Sequence, residues 1–297
     1  MRKILFAIMM LASAAFADVT FAGSAFAGLM FGGLTFAGLT SAGAALVGLT
    51  SAGVAFAQPP GAAAQAKSPK DAAPVDLTGY WVSIVTEDWR WRMVTPSRGD
   101  FASIPLNPEG RKVGETWDPA KDEAAGQQCK SYGAPALMRI PGRIHITWQD
   151  DHTLRIDTDA GTQTRLFHFA APPPAGAPAS LQGYSVANWE RNGRPIATLN
   201  VGGIPGPPPP VTTGRSLEVT TTHLLAGYLR KNGPPFSAGT QLNEYYDYHK
   251  EPNGAEWITI TTVVQDPTYL TTNFVTTTDF RKQPDASNWN PTACSAR

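Results

Sequence analysis

The chain has 297 residues, 24 basic and 24 acidic side chains that balance to zero net charge, 42% hydrophobic residues and two cysteines. That length is ample for a buried core. The balance leaves no basic stripe from which phosphate-backbone affinity could be drawn, so nucleic acid is not an expected partner.

The first 57 residues open on Met1-Arg2-Lys3, run on almost without charge and close on Ala55-Phe56-Ala57. A basic start, an apolar stretch and a small-x-small end are what the secretion machinery reads. Residues 1–57 are therefore expected to be a signal peptide, and the protein to be exported, to a periplasm or beyond the cell. The unusual length comes from an internal repeat: ADVTF, AGSAF, AGLMF, GGLTF, AGLTS, AGAAL, VGLTS and AGVAF fill positions 17–56. Superficially this resembles a pentapeptide-repeat solenoid. Only Asp18 supplies that family's polar second position, however, and so few repeats make too little stack to bury a core. A retained Ala/Gly-rich anchor is the alternative, and an uncleaved leader is the one membrane contact expected. Cleavage after Ala17 competes with cleavage after Ala57. The second is preferred, because Gln58-Pro59-Pro60 then opens a linker expected to be disordered over residues 58–75.

Cys129 and Cys294 both lie in the exported part, where thiols pair and stay paired. One disulfide is expected, closing a loop of roughly 160 residues and worth about 5 kcal/mol in the chain-entropy model. Two free thiols are the alternative. There is no CxxC or HxxxH spacing, phosphate loop or dinucleotide fingerprint, so neither metal nor cofactor is expected.

From Leu77 onward, period-two alternation rich in Thr, Val, Ile and aromatics predicts a β protein. Residues 79–95 read as one long strand or two in line, with Trp81, Ser83, Val85, Glu87, Trp89, Trp91 and Met93 on one face. Tyr80, Val82, Ile84, Thr86, Asp88, Arg90 and Arg92 fall on the other. Asn107-Pro108 and Asp118-Pro119 each place an N-cap before a proline, predicting two short helices, the second running over 121–128 to deliver Cys129. A meander follows near 143–149, 153–158 and 162–169. Its register opposes Gln149 to Thr153, His145 to Asp157 and Arg143 to Asp159. Proline-rich stretches at 171–180 and 202–214 bracket a β piece near 183–190; their length suggests a lid or pocket rim. Strands are expected again at 217–224, 240–249, 256–266 and 271–281. An all-β, antiparallel, lipocalin-like barrel of about 8–10 strands, forming one domain over 76–297, accounts for these elements, since closure removes exposed edges.

Gly79-Tyr80-Trp81 is similar to the Gly-x-Trp opening of lipocalin-like (calycin) barrels, in which the Trp plugs one end. QGYSVANWE at 182–190, LEVTTTHL at 217–224, Glu244-Tyr245-Tyr246 and DPTYLTTNF at 266–274 resemble a large group of exported bacterial β proteins of unknown function. That resemblance covers roughly 76–297 and implies a fold and a compartment but no activity. The chain departs from the pattern in the proline-rich insertion between Glu190 and Leu217.

Three constellations are candidates for chemistry. Arg90 and Arg92, with Asp88 and flanked by Trp89 and Trp91, are placed to grip a carboxylate or phosphate with planar donor forks; an outward polar face is the competing reading. Tyr228 and Arg230, with Glu244, Tyr246 and Tyr248 from the following strand, would set a cation and a carboxylate in an aromatic wall, against ordinary core packing. His145 opposite Asp157 would be an oriented imidazole, so His145, Asp157 and Glu244 are the candidate catalytic groups, against a merely structural hydrogen bond. Gly183-Tyr184-Ser185-Val186-Ala187 lacks the second glycine of a nucleophile elbow, which argues against serine hydrolase chemistry.

The sequence favours an exported protein that binds a largely apolar small molecule with an anionic or hydroxyl end. The alternatives are a cofactor-independent lyase, isomerase or dehydratase acting on a small organic acid or phenol, and an envelope scaffold. The sequence does not specify an oligomeric state.

Overall fold

The computed structural model describes residues 67–190 and 216–297. The expected leader, linker residues 58–66 and the second proline-rich stretch lie outside the described residues. In chain order the elements are β1 (Gly79–Ile84), α1 (Trp89–Arg92), α2 (Pro108–Glu115), α3 (Pro119–Ala124), a 3-10 turn (Lys130–Tyr132), α4 (Ala134–Leu137) and β2 (Arg143–Asp150). Then come β3 (Thr153–Thr158), β4 (Thr164–Phe169), β5 (Tyr184–Trp189), β6 (Ser216–Thr222), the two-residue β7 (Gly227–Tyr228) and β8 (Pro235–Phe236), β9 (Gln241–Lys250), β10 (Glu256–Gln265) and β11 (Phe274–Gln283).

Nine strands close a barrel in the order β1-β11-β10-β9-β6-β5-β4-β3-β2, with β2 returning to β1. The all-β barrel is as expected, but it is mixed rather than antiparallel, because β4 and β5 run parallel, Phe167 beside Ser185 and Phe169 beside Ala187. Parallel neighbours need a crossover of a dozen or more residues. The proline-rich stretch at 171–180 is part of that crossover, so its length follows from topology. Gly183 ends it at φ +63°, where a Cβ would run into the Thr222 carbonyl oxygen. Only glycine combines that backbone with that approach.

Alternation sorts the wall into inside and outside. Leu217, Val219, Ile258, Ile260, Ile144, Ile146, Ile156 and Phe280 point inward and are buried, as is Trp81, whose indole donates to the Leu77 carbonyl at 2.9 Å. Outward positions carry Arg155, Asp157, Asp247, Asp279 and Arg281. The predicted meander register holds from Trp148 opposite Leu154 to Ile144 opposite Thr158, with His145 opposite Asp157. At the turn, Asp150 rather than Gln149 faces Thr153, because a bulge at Gln149 takes up one residue. The barrel unit also begins earlier than residue 76. Residues 67–75 pack against it, Trp189 donating to the Pro69 carbonyl at 3.1 Å and Val75 lying against the core.

The connections over 85–142, 223–240 and 266–273 all leave the same end of the barrel and build a cap on it, with a second apolar core of Phe101, Ile104, Leu229, Phe236, Leu242 and Phe274. Both predicted N-caps form, Asn107 Oδ1 accepting from Gly110 N at 2.8 Å and Asp118 Oδ1 from Ala120 N at 3.1 Å. The second helix stops at Ala124, short of the expected 128, and two further helical elements follow Cys129. After β11 the tail doubles back along the outer wall. Trp289 packs edge-on to Tyr80 and His145, Thr292 N donates to the Asp159 carbonyl at 2.8 Å, and Cys294 closes the expected disulfide with Cys129.

Residues 79–95 are not one strand. β1 ends at Ile84, Asp88 adopts φ 51°, and Trp89–Arg92 make a single helical turn. W-R-W-R alternates with period two as a strand does, and four residues are too few for a helical period to show. Asp88 tolerates the left-handed backbone. Arg92 then folds inward, donating to Glu87, to Ser83 Oγ at 2.9 Å and to the Arg139 carbonyl at 2.9 Å.

Candidate functional site

A cleft of about 330 Å³ opens on the cap between the α1 turn, the 3-10 turn and α4, the segment after β7, and the tail. Arg92, Arg139, Arg230 and Lys231 line it, along with Trp91, Tyr132, Met93, Val94, Ile140 and Leu229, while Asp and Glu are absent from its described lining. The three arginines are each 8% exposed. Their carboxylate partners stand outside the lining: Glu87 behind Arg92, and Asp88, whose Oδ2 accepts from Arg139 Nη2 at 2.8 Å.

Arg230, by contrast, has no direct carboxylate partner among the described residues. Its guanidinium donates to Asn232 Oδ1 at 3.0 Å and to the carbonyls of Asp100 and Ala102 at 2.6 and 3.3 Å, and lies 5.7 Å from the Trp91 ring centroid. Burial, reinforced by the charge of Arg139 and opposed by Asp100 and Asp88, pulls Arg230 down from its ordinary value to about 10. Arg92 is also lowered, first by burial and then by Arg139, against Glu87. Arg139 Nη1 and the Trp91 indole nitrogen are buried without an acceptor among the described residues. The fold thus gathers cations that repel one another and leaves two donors unsatisfied, a combination an incoming anion relieves.

The expected sites are redistributed. Arg92 and Arg230, assigned to different constellations by sequence, meet in this cleft. Arg90 does not line it; its exposed side chain reaches Asp100 at 3.5 Å. Tyr228 also lies elsewhere, donating to Asp122 Oδ2 at 2.9 Å, and burial beside that carboxylate raises its phenol. The expected pairing of Arg230 with Glu244 and Tyr246 does not form, because the β7–β8 excursion carries Arg230 into the cap while β9 points Glu244 and Tyr246 into the barrel.

There the cation is Arg165 of β4. Its Nη1 and Nη2 grip Glu244 Oε1 and Oε2 at 2.8 and 2.6 Å, and both side chains are 0% exposed. Thr221 Oγ1 accepts from Arg165 Nη2 at 3.1 Å, and Tyr246 donates to Glu244 at 3.3 Å. Burial is the largest influence on the Arg165 guanidinium and would lower it, but the Glu244 charge, Tyr246 and the hydrogen bonds to both together outweigh it and the net shift is upward. Tyr246 is raised by burial and by Glu244. Arg165, Thr221, Glu244 and Tyr246 do not line the cap cleft.

His145 and Asp157 face each other as expected, on the outer wall beside a cleft of about 290 Å³. The Asp157 carboxylate is already taken, bidentate from Arg155 at 2.7 and 2.8 Å and from Thr164 Oγ1 at 2.5 Å. His145 stacks on Tyr80 with ring centroids 4.0 Å apart. Burial lowers its pKa, with Asp157 opposing and Arg155 assisting. An imidazole held in this way is positioned but has no free carboxylate to relay a proton.

Two arginines escaped the sequence reading, and each left a trace. Arg165 shares strand parity with Phe167 and Phe169, which marks it as inward. Arg139 is the one charge in the apolar run Ala134–Pro141. No protein-family model, curated protein or solved structure matches this chain.

Proposed function

We propose that this is an exported binding protein whose cap cleft holds a small anionic molecule with an apolar or aromatic body. The observation that carries the reading is the lining: four cations and, among the described residues, no carboxylate, beside apolar and aromatic walls. Arg230, held by two carbonyls and an amide rather than by a carboxylate, keeps its charge available to a ligand. Met93, Val94, Ile140, Leu229 and Tyr132 would take the apolar part. Export is supported by the leader sequence and the paired cysteines.

The test uses 8-anilinonaphthalene-1-sulfonate, an anion on an aromatic body, titrated by fluorescence. One equivalent should bind, and Arg139→Met or Arg230→Met should each weaken binding about ten-fold, the worth of one charge-assisted contact. Unchanged affinity in both variants would refute the cleft as the site.

A further inference from the structure

The α1 turn is inside out. Arg92 is buried, yet Trp89, Met93 and Val94 are 65%, 59% and 66% exposed. Isolated apolar residues on a surface are ordinary, but these three fall within six residues, and among the described residues only Leu225 and Val275 are comparably exposed large hydrophobics. Met93 N bonds to the Trp89 carbonyl at 2.9 Å, so Trp89 and Met93 stand one helical turn apart on the same face. Burying Arg92 against Glu87, Ser83 and the Arg139 carbonyl fixes that orientation from below. The apolar face is therefore held out rather than left over.

Its surroundings are basic. Arg90 projects beside Trp89 with 69% of its side chain exposed, Arg98 is exposed further along the same loop, and the cleft behind the turn holds Arg139, Arg230 and Lys231. The carboxylates nearby each offset one guanidinium, Glu87 that of Arg92, Asp88 that of Arg139 and Asp100, at 3.5 Å, that of Arg90, which leaves Arg98, Arg230 and Lys231 as the surplus positive charge; Asp279 accepts from Thr259 Oγ1. An exposed indole and thioether flanked by guanidiniums suit the interface of a bilayer, where the apolar groups enter the acyl boundary and the cations meet anionic headgroups. The strand wall does not share this character, since its outward positions carry Arg155, Asp157, Asp247, Asp279 and Arg281.

We propose that the turn Trp89–Val94 seats the protein on an anionic lipid bilayer, with the cap cleft facing the headgroups. Charge complementarity favours this occupant over a second copy, whose identical basic turn would be repelled in a two-fold contact. Met93 and Val94 belong both to the exposed face and to the cleft lining, so the cleft opens at the contact. Seating needs only the turn and stands whether or not the cleft takes a ligand.

The experiment compares the disulfide-intact protein with the triple variant Trp89→Ser, Met93→Ser, Val94→Ser in co-sedimentation with vesicles of phosphatidylcholine alone or mixed with phosphatidylglycerol. The wild type should bind the mixed vesicles, lose that binding at high salt, and bind about ten-fold better than the variant, which should melt at an unchanged temperature. Residues 1–80 contain no tryptophan, so fluorescence quenching by brominated lipid reports on the folded domain rather than the leader. The quenched component should vanish in Trp89→Phe. Equal sedimentation of wild type and triple variant, or quenching unchanged in Trp89→Phe, would overturn the proposal. So would a dimer in sedimentation velocity that the triple variant abolishes, with no binding to vesicles.

Discussion

Arg165 in the barrel and Arg230 in the cap are both buried guanidiniums, and their surroundings are opposites. Arg165 is clasped by both oxygens of Glu244 in a packed interior. Arg230 rests on two carbonyls and an amide at the edge of a cleft. Compensation by a bidentate carboxylate makes a charge part of the architecture, and removal of that carboxylate leaves an orphan in low dielectric. Partial compensation leaves a charge that still attracts anions. Burial alone would not separate the two, because what differs is the partner.

The contrast is broken most severely in the barrel. Glu244→Ala strands the Arg165 cation, and unfolding in urea should show a loss of about 3–5 kcal/mol. Arg165→Met combined with Glu244→Leu should recover most of it, since an apolar pair of similar volume costs neither charge its hydration. A loss of only about 1 kcal/mol in the single variant would mean that the pair is better solvated than its burial implies.

A smaller effect is expected in the cap. Arg230→Met removes a cation that the fold holds at a cost, and Asn232 Nδ2 still donates to the Asp100 carbonyl at 2.8 Å. Its stability should change by about 1 kcal/mol or less in the same urea assay. Because Arg230 is lowered to about 10, wild-type affinity for the anionic probe should be level below that pH and fall as pH rises through it, a fall that Arg230→Met makes shallower.

The smallest effect concerns the outer wall. His145 and His168 are both lowered by burial, so between their folded values and the ordinary value near 6.5 the unfolded chain binds more protons. Their contribution to stability is therefore complete above about pH 6.5 and declines as pH falls below it. His145→Phe preserves the stack on Tyr80 and should flatten part of that decline in melting temperature measured from pH 7 to pH 5.

Where backbone pattern alone decided the outcome, the sequence was readable. The hairpin register from Ile144 opposite Thr158 to Trp148 opposite Leu154, the proline-marked helix starts and the hairpin at Pro252-Asn253-Gly254 follow from local parity and turn chemistry, and the cysteine pair from there being two cysteines, whereas the bulge at Gln149 left no local sign. What was not readable depended on where distant segments meet. Arg92 and Arg230 carry no local sign of sharing a cleft, because that depends on two cap connections rising from the same barrel end. The parallel pairing of β4 with β5 is equally non-local, since a proline-rich stretch reads the same whether it turns back or crosses over. Trp89–Arg92 misled for the opposite reason: a strong local pattern was overruled by the inward pull on Arg92.

The closure between the first and last strands sets a clock on the folding of this chain. Tyr80 finds its partner Gln283 only at the far end of the sequence. Until β11 arrives, β1 has one neighbour and the barrel is an open sheet with two unpaired edges, the state most exposed to association with other chains. So long-range a contact also places the molecule among slow folders. The segment that follows β11 arrives later still, and it crosses the outer face of β1 and β2 on its way to Cys129. The covalent bond therefore works as a latch: it forms once the seam lies beneath it, and it then ties the segment around Cys294 across the seam.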